Sequence, residues 1–131
     1  MEHEYLFEVR GYEMDSFSHV NNAVYLNYLE AARWKFLDDR KWIEYAQTNK
    51  LHLVVTETNI KYINELKVFD KAVVKSRWEC EGQYMLAHQN IYLEGTNRKM
   101  AKATVKMIFV SYDRIMHDIP DFIINEFNDK V

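Results

Sequence analysis

The chain has 131 residues, 48% of them hydrophobic and 15% aromatic, with a formal net charge of −3. That length fits a single domain (residues 1–131) able to bury roughly two-thirds of its unfolded-chain surface, so neither a disulfide nor a metal is needed to hold it together. The interspersed acids and bases exclude the clustered basic surface a nucleic-acid partner would require, and one cysteine, Cys80, excludes an internal disulfide.

The first five residues, Met1 to Tyr5, lack a basic region followed by an apolar run. No apolar stretch approaches the roughly 18 residues of a membrane span, so a cytoplasmic protein is expected. Tyr5 to Gly11 alternates apolar and polar and predicts a first strand. A polar loop with Asp15, Ser16, Ser18 and His19 follows. From Asn21 to Asp39, Asn22, Tyr25, Leu29, Ala32 and Phe36 recur at steps of three and four, which predicts a long helix with these residues on one face. Lys41 to Asn49 predicts a shorter helix ending at Asn49-Lys50.

The period then changes to two. Leu51 to Val55 is apolar throughout, and Thr56, Thr58, Ile60 and Tyr62 alternate with polar residues. Val74, Ser76, Trp78 and Cys80 alternate in the next strand, where Cys80 is expected as a buried structural thiol. Gly82-Gln83 fits a two-residue hairpin. Tyr84 to Glu94 and Lys99 to Tyr112 form two more strands, joined through Gly95-Thr96-Asn97, and Asp121 to Asn128 forms a tail helix after Pro120. The expected order is a strand, a long helix, four strands in an antiparallel meander and a tail helix. A long helix with an apolar face must be covered, so the twisted sheet is expected to wrap it in an α+β fold.

The segment Tyr12 to Arg33, YEMDSFSHVNNAVYLNYLEAAR, carries the chemistry. Through Asp15, His19, Val20, Asn21, Asn22, Tyr25, Tyr28, Glu30 and Arg33 it resembles the 4-hydroxybenzoyl-CoA thioesterase-like branch of the hotdog superfamily. Ile60 to Arg77 and Met100 to Pro120 are similar to that family's strand pattern. The resemblance implies a five-stranded antiparallel sheet wrapped around a long central helix, and hydrolysis of acyl-CoA or acyl-carrier-protein thioesters. It implies Asp15 and His19 at the catalytic centre, Val20, Asn21, Asn22 and Tyr25 against substrate, and helix-start amides around Asn21 and Asn22 on the thioester carbonyl. It also implies a homodimer, or a tetramer, whose sheets join edge to edge. Two positions depart from the family: Ser18 stands where Gly is frequent, and Asn64-Glu65 replaces a frequent Pro.

The residue types suit the reaction. A thiolate with a conjugate-acid pKa of about 8.5 leaves without obligatory protonation, so one carboxylate and one carbonyl-polarising group suffice. Asp15 either attacks the carbonyl or serves as general base on water. Taken alone, Asp15 also fits a loop or capping residue, His19 a turn cap, and Tyr25 a packing residue. Glu30 and Arg33 fit a surface i,i+3 pair. No metal or cofactor is expected, because the histidines at 3, 19, 52, 88 and 117 lack zinc-ligand spacing and the three glycines form no phosphate loop. CoA recognition then falls to surface Lys and Arg. A hydratase or dehydratase using Asp15 and His19 is a second reading, although Ser16-Phe17-Ser18 lies between them where that class carries Asn-Pro. A non-catalytic acyl-CoA-binding module is a third. The helix face Tyr25, Leu29, Ala32 and Phe36 offers no charge, so an uncharged acyl group is expected.

Overall fold

A computed structural model describes residues 1–129. Strand β1 (Glu2–Glu8) leads through a 3₁₀ turn (Gly11–Glu13) to helix α1 (Asn22–Asp39) and helix α2 (Trp42–Thr48). Strands β2 (Leu51–Tyr62), β3 (Lys71–Glu81), β4 (Tyr84–Leu93), β5 (Lys99–Ser111) and the short β6 (Met116–His117) follow, and helix α3 (Asp121–Asn128) ends the described chain.

The strand order is β1-β3-β4-β5-β2, with β6 also paired to β5 and every pairing antiparallel. This corrects the expected four-strand meander. Only β3, β4 and β5 are consecutive neighbours; β2 crosses to the far edge and pairs with β5, from Leu51↔Ser111 to Tyr62↔Ala101. The β2–β3 loop thus runs from one side of the sheet to the other, past the start of α1. The sixth strand, β6, is only two residues long and leaves the five-strand path intact.

Strand β2 shows why the crossing works locally. Its register shifts between Val55 and Glu57, so Thr56 is an extra residue in a bulge. Before the bulge, Leu51 and Leu53 turn inward; after it, Ile60 does. A strand with two-residue period can change its inward parity only by such an insertion. β1 begins at Glu2 and stops at Glu8, three residues before the expected end. Val9 leaves that strand to exchange hydrogen bonds with the β2–β3 loop, its N–H donating to the Asp70 carbonyl at 2.9 Å and its carbonyl accepting from Phe69 at 3.0 Å.

α1 buries Tyr25, Tyr28, Leu29, Ala32 and Phe36 against the sheet, while Asn22 at its start is exposed. One core region packs Tyr25, Leu29 and Ala32 with Val74, Ile91 and Ala103; a second packs Phe36 and Trp42 with Trp78, Met107 and Ile123. Phe36 lies stacked on Trp78 at 4.4 Å between centroids. α3 closes the second region, where Glu126 accepts from Arg40 and from the Trp42 indole N–H. Cys80 is exposed near the end of β3, which corrects the expectation of a buried thiol. The inward alternation of Val74, Ser76 and Trp78 ends before it. No helix among the described residues is long and apolar enough to cross a membrane.

Candidate active site

The 12–21 segment folds back on itself before α1 starts. Met14 and Val20 form an isolated antiparallel bridge. Within it the Asp15 N–H donates to the His19 carbonyl at 2.8 Å and the Ser18 N–H to the Asp15 carbonyl at 3.2 Å. The Asp15 carboxylate closes the turn through one oxygen, Oδ1, which accepts from the backbone N–H of Phe17 at 2.8 Å and of His19 at 3.3 Å. Among the described residues no hydrogen bond reaches Oδ2. The carboxylate is therefore held by one oxygen and presents the other. The turn needs a left-handed residue, and Ser18 has φ +66°, so the family's glycine is replaced at a position with the glycine conformation.

The start of α1 is anchored on both sides. The Val20 N–H donates to the Leu66 carbonyl at 3.0 Å, and the Asn21 N–H to the Glu13 carbonyl at 3.1 Å. Asn21 is the N-cap: its side-chain oxygen accepts from the Ala23 N–H at 2.9 Å, and its carbonyl accepts from Val24 at 2.9 Å. Of the amides at this helix start, that of Asn22 has no acceptor among the described residues. A free N–H on the first helical residue, at the positive end of the helix dipole, is a ready donor to an oxyanion. The sequence expectation named the amides around Asn21 and Asn22 together; in this structure the former is occupied.

The other expected site residues fall into place around this pair. The His19 imidazole turns to Glu65, with Nε2 to Oε2 at 3.1 Å, and only its backbone N–H reaches Asp15. Val20, 2% exposed, packs in the core. Tyr25 is also 2% exposed; its hydroxyl donates to the Asn64 carbonyl at 3.3 Å and accepts from the Leu66 N–H at 3.0 Å. Burial raises the Tyr25 pKa, so the hydroxyl stays protonated and serves both bonds. Asn64, which stands near the family's proline, fixes its loop by donating to the Lys99 carbonyl at 2.8 Å.

Two participants lay outside the sequence expectation, and a third, Arg33, is placed differently from it. Glu13 accepts from the Tyr28 hydroxyl at 2.9 Å and the Arg10 N–H at 2.7 Å, which sets the approach to Asp15. Tyr62 donates to the Asn22 carbonyl at 3.1 Å, tying the end of β2 to the helix start. Arg33 does not pair with Glu30 on the surface: its Nη1 donates to Gln89 Oε1 at 3.0 Å, beneath the helix. The motif offered a signal for Arg33 alone, because an arginine one position past the buried Ala32 already borders the apolar face. Glu13 and Tyr62 carry no such mark. A cavity of about 430 Å³ runs between the later turns of α1, α2 and the inner faces of β2 and β5, and a second of about 620 Å³ lies beside β1 and Glu13. Neither is lined by Asp15.

With this geometry in view, the relatives are informative. The family profile described as the thioesterase-like superfamily matches residues 9–127. The chain is 31% identical over 104 residues to the long-chain acyl-CoA thioesterase FadM of Escherichia coli, covering 79% of each protein. It is 40% identical over 77 residues to the chloroplastic acyl-acyl carrier protein thioesterase ATL3 of Arabidopsis thaliana, covering 57% of this chain and only 40% of that relative. Among solved structures, YbaW of Escherichia coli, described as a probable thioesterase, superposes with a TM-score of 0.82 at 28% identity, covering 87% of each chain. The 1,4-dihydroxy-2-naphthoyl-CoA thioesterase Slr0204 of Synechocystis superposes with a TM-score of 0.83 over 92% of this chain and 91% of its own, at 13% identity, which speaks for the fold alone. The chain has the hotdog fold and belongs to the thioesterase-like superfamily.

Proposed function

We propose that this protein hydrolyses acyl-CoA or acyl-carrier-protein thioesters to a free acid and a thiol. The observation that carries the reading is one local arrangement among the described residues: a carboxylate, Asp15, pinned through Oδ1 with Oδ2 left open, on the turn that leads into a helix whose first N–H, that of Asn22, is unpartnered. The thioester carbonyl oxygen accepts from the Asn22 N–H. Asp15 then follows one of two routes. As nucleophile, it bonds to the carbonyl carbon, the C–S bond breaks to release thiolate, and water cleaves the resulting anhydride. As general base, it takes a proton from a water whose oxygen bonds to the carbonyl carbon, and the C–S bond breaks to release thiolate and the free acid. Both routes use the open carboxylate oxygen, on the carbonyl carbon in the first and on the attacking water in the second.

His19 acts through its backbone N–H and through the contact of its imidazole with Glu65 rather than as the proton carrier. A hydratase would use His19 together with Asp15, and the imidazole faces Glu65 instead. Val20, Asn21 and Tyr25 hold the site in shape, with Asn22 as the substrate contact. The relatives that act on acyl-CoA and on acyl-acyl carrier protein support the substrate class.

The working unit in this reading is a cytoplasmic homodimer, or a tetramer built from it, of a single domain spanning residues 1–131. β2 is a twelve-residue edge strand with exposed Val54 and Val55, and such an edge exposes a row of unpaired N–H and C=O groups. Pairing β2 with its symmetry mate covers it and brings two sites to one interface. Exposed Phe17 (76%) and Phe69 (71%), beside Asp15 and on the β2–β3 loop, give the partner apolar surface to cover. A monomer with full specific activity across a dilution series overturns this part.

The test of the activity is thiol release from a panel of acyl-CoAs by the wild type and by Asp15→Asn. The substitution keeps the shape and removes the nucleophile or base, and kcat/KM should fall about 100-fold or more with the unfolding midpoint maintained. A variant that keeps more than about a tenth of wild-type kcat/KM removes Asp15 from its role.

A further inference from the structure

The cavity between α1, α2 and the β2–β5 face is apolar over most of its wall, with Trp34, Leu37, Leu53 and Phe109 among its lining residues. Two charged side chains of α1, Glu30 and Arg33, border it. Its volume of about 430 Å³ is that of a small-molecule site. The Arg33 guanidinium has one neutral partner, Gln89 Oε1, and no carboxylate within ion-pair distance among the described residues. Gln89 cannot turn away, because its Nε2 donates to the Leu29 carbonyl and to Ser76 Oγ, both at 3.1 Å. Gln89 therefore fixes Arg33 at the cavity wall, and the other donors of the fork have no protein acceptor among the described residues. Burial lowers the Arg33 pKa, opposed by the nearby Glu30 charge. A partly desolvated donor fork held by one neutral acceptor leaves its remaining N–H groups available to a ligand in the cavity.

Resting on the thioesterase reading above, we propose that this cavity seats an acyl chain bearing a hydroxyl far from the thioester, with Arg33 donating to the hydroxyl oxygen and Glu30 accepting from the hydroxyl O–H. The two charges cancel, so the pair suits a neutral group that both accepts and donates. An added carboxylate would meet Glu30, and a plain methylene leaves the fork unused. The position along the chain follows from the helix. Glu30 lies eight residues beyond Asn22 on α1, about 12 Å at 1.5 Å per residue. A chain whose carbonyl sits at the Asn22 N–H reaches the charged pair only near the far end of a chain of about ten carbons. Arg33 is thus a specificity-determining residue and Asp15 the reacting one.

The experiment compares kcat/KM for decanoyl-, 10-hydroxydecanoyl-, 3-hydroxydecanoyl- and decanedioyl-CoA in the wild type, Arg33→Met and Arg33→Lys. The wild type should favour the 10-hydroxy substrate over decanoyl-CoA roughly tenfold, as expected for a hydrogen bond to a charged donor. The 3-hydroxy compound should gain nothing. Arg33→Met should bring the ratio to about one. If that variant does not fold, Arg33→Lys, which keeps the charge without the fork, should lower the ratio. Ratios within one variant cancel any general loss of active enzyme. An unchanged ratio in the folded variant makes Arg33 merely structural and overturns the inference. So does a preference for decanedioyl-CoA or for decanoyl-CoA in the wild type. Failure to cleave any of the four, or any other acyl-CoA or acyl-acyl carrier protein thioester, overturns the thioesterase reading instead.

Discussion

The Tyr25 hydroxyl is the acceptor of the Leu66 backbone N–H at 3.0 Å, and it joins the first turn of α1 to the loop that carries the chain from β2 across to β3. Leu66 is fully buried, so its N–H has no water to turn to when that oxygen is removed. The same loop returns a bond to the site, because the Leu66 carbonyl accepts from the Val20 N–H. Tyr25→Phe should therefore cost about 1–3 kcal/mol, the penalty of an unsatisfied buried donor, with little change of shape. Urea unfolding measures it. A midpoint shift worth less than a few tenths of a kcal/mol shows that the loop finds another partner.

Burial holds a second hydroxyl, that of Tyr28, in its protonated form, helped by its hydrogen bond to Glu13. Tyr25 and Tyr28 both have folded-state pKa values raised above the ordinary 10.0. Below pH 10 both states keep these protons, and the stability they allow is fully present. Above it the unfolded chain loses protons that the native state retains, so stability falls as pH rises from about 10 toward the folded-state values. Chemical unfolding between pH 8 and 11 should show this decline, and Tyr28→Phe should flatten it. A wild-type slope identical to that of the variant removes Tyr28 from the account.

Ser18 adopts φ +66° in the turn that carries Asp15, a conformation in which an L side chain is strained by roughly 1 kcal/mol and glycine is not. Ser18→Gly should relieve that strain. It also gives the unfolded chain more freedom, so the net gain in stability should be small, about 0.5 kcal/mol. The turn hydrogen bonds of Asp15 involve backbone groups and are kept. Thermal unfolding of the variant checks the sign: a destabilisation of 0.5 kcal/mol or more means that the serine hydroxyl stabilises the turn in a way its hydrogen bonds do not reveal.

Much of this architecture is written in local periodicity. Tyr25, Leu29, Ala32 and Phe36 recur at helical steps and all four are buried. Asp121–Asn128 forms the tail helix its pattern predicts. Ser18 was readable as a site of strain because the loop motif has a glycine there. The position of β2 was not readable. Adjacent strands usually pair, and nothing within 51–62 states that its partner lies in 101–111, a contact set by the whole sheet. Side chains that meet at long range share this limit. His19 and Glu65 are 46 positions apart, and Arg33 and Gln89 are 56 apart, so neither pairing leaves a mark in its own segment. Arg33 misled further because an i,i+3 Glu–Arg pair on a helix is normally a solvated one.

The role of the Asn22 N–H can be tested without losing the helix. Asn22 is the first residue of α1, where proline is well tolerated because the missing N–H has no intrahelical acceptor and the fixed φ suits a helix start. The preceding residue, Asn21, has ψ 134°, the extended value that a following proline requires. The Asn22 carbonyl, which accepts from Tyr62, is unaffected by the change. Asn22→Pro thus deletes the donor at the helix start that has no partner among the described residues, and little else. If that N–H holds the developing oxyanion, kcat should fall on the order of 100-fold or more, as for loss of one oxyanion-hole donor, while circular dichroism and the unfolding midpoint stay close to wild type. Asn22→Ala, which keeps the N–H, separates the backbone from the side chain: a loss common to both variants belongs to the carboxamide, and a loss confined to the proline variant belongs to the N–H. A folded Asn22→Pro protein with kcat within about threefold of wild type would place the carbonyl-polarising donor elsewhere in the site.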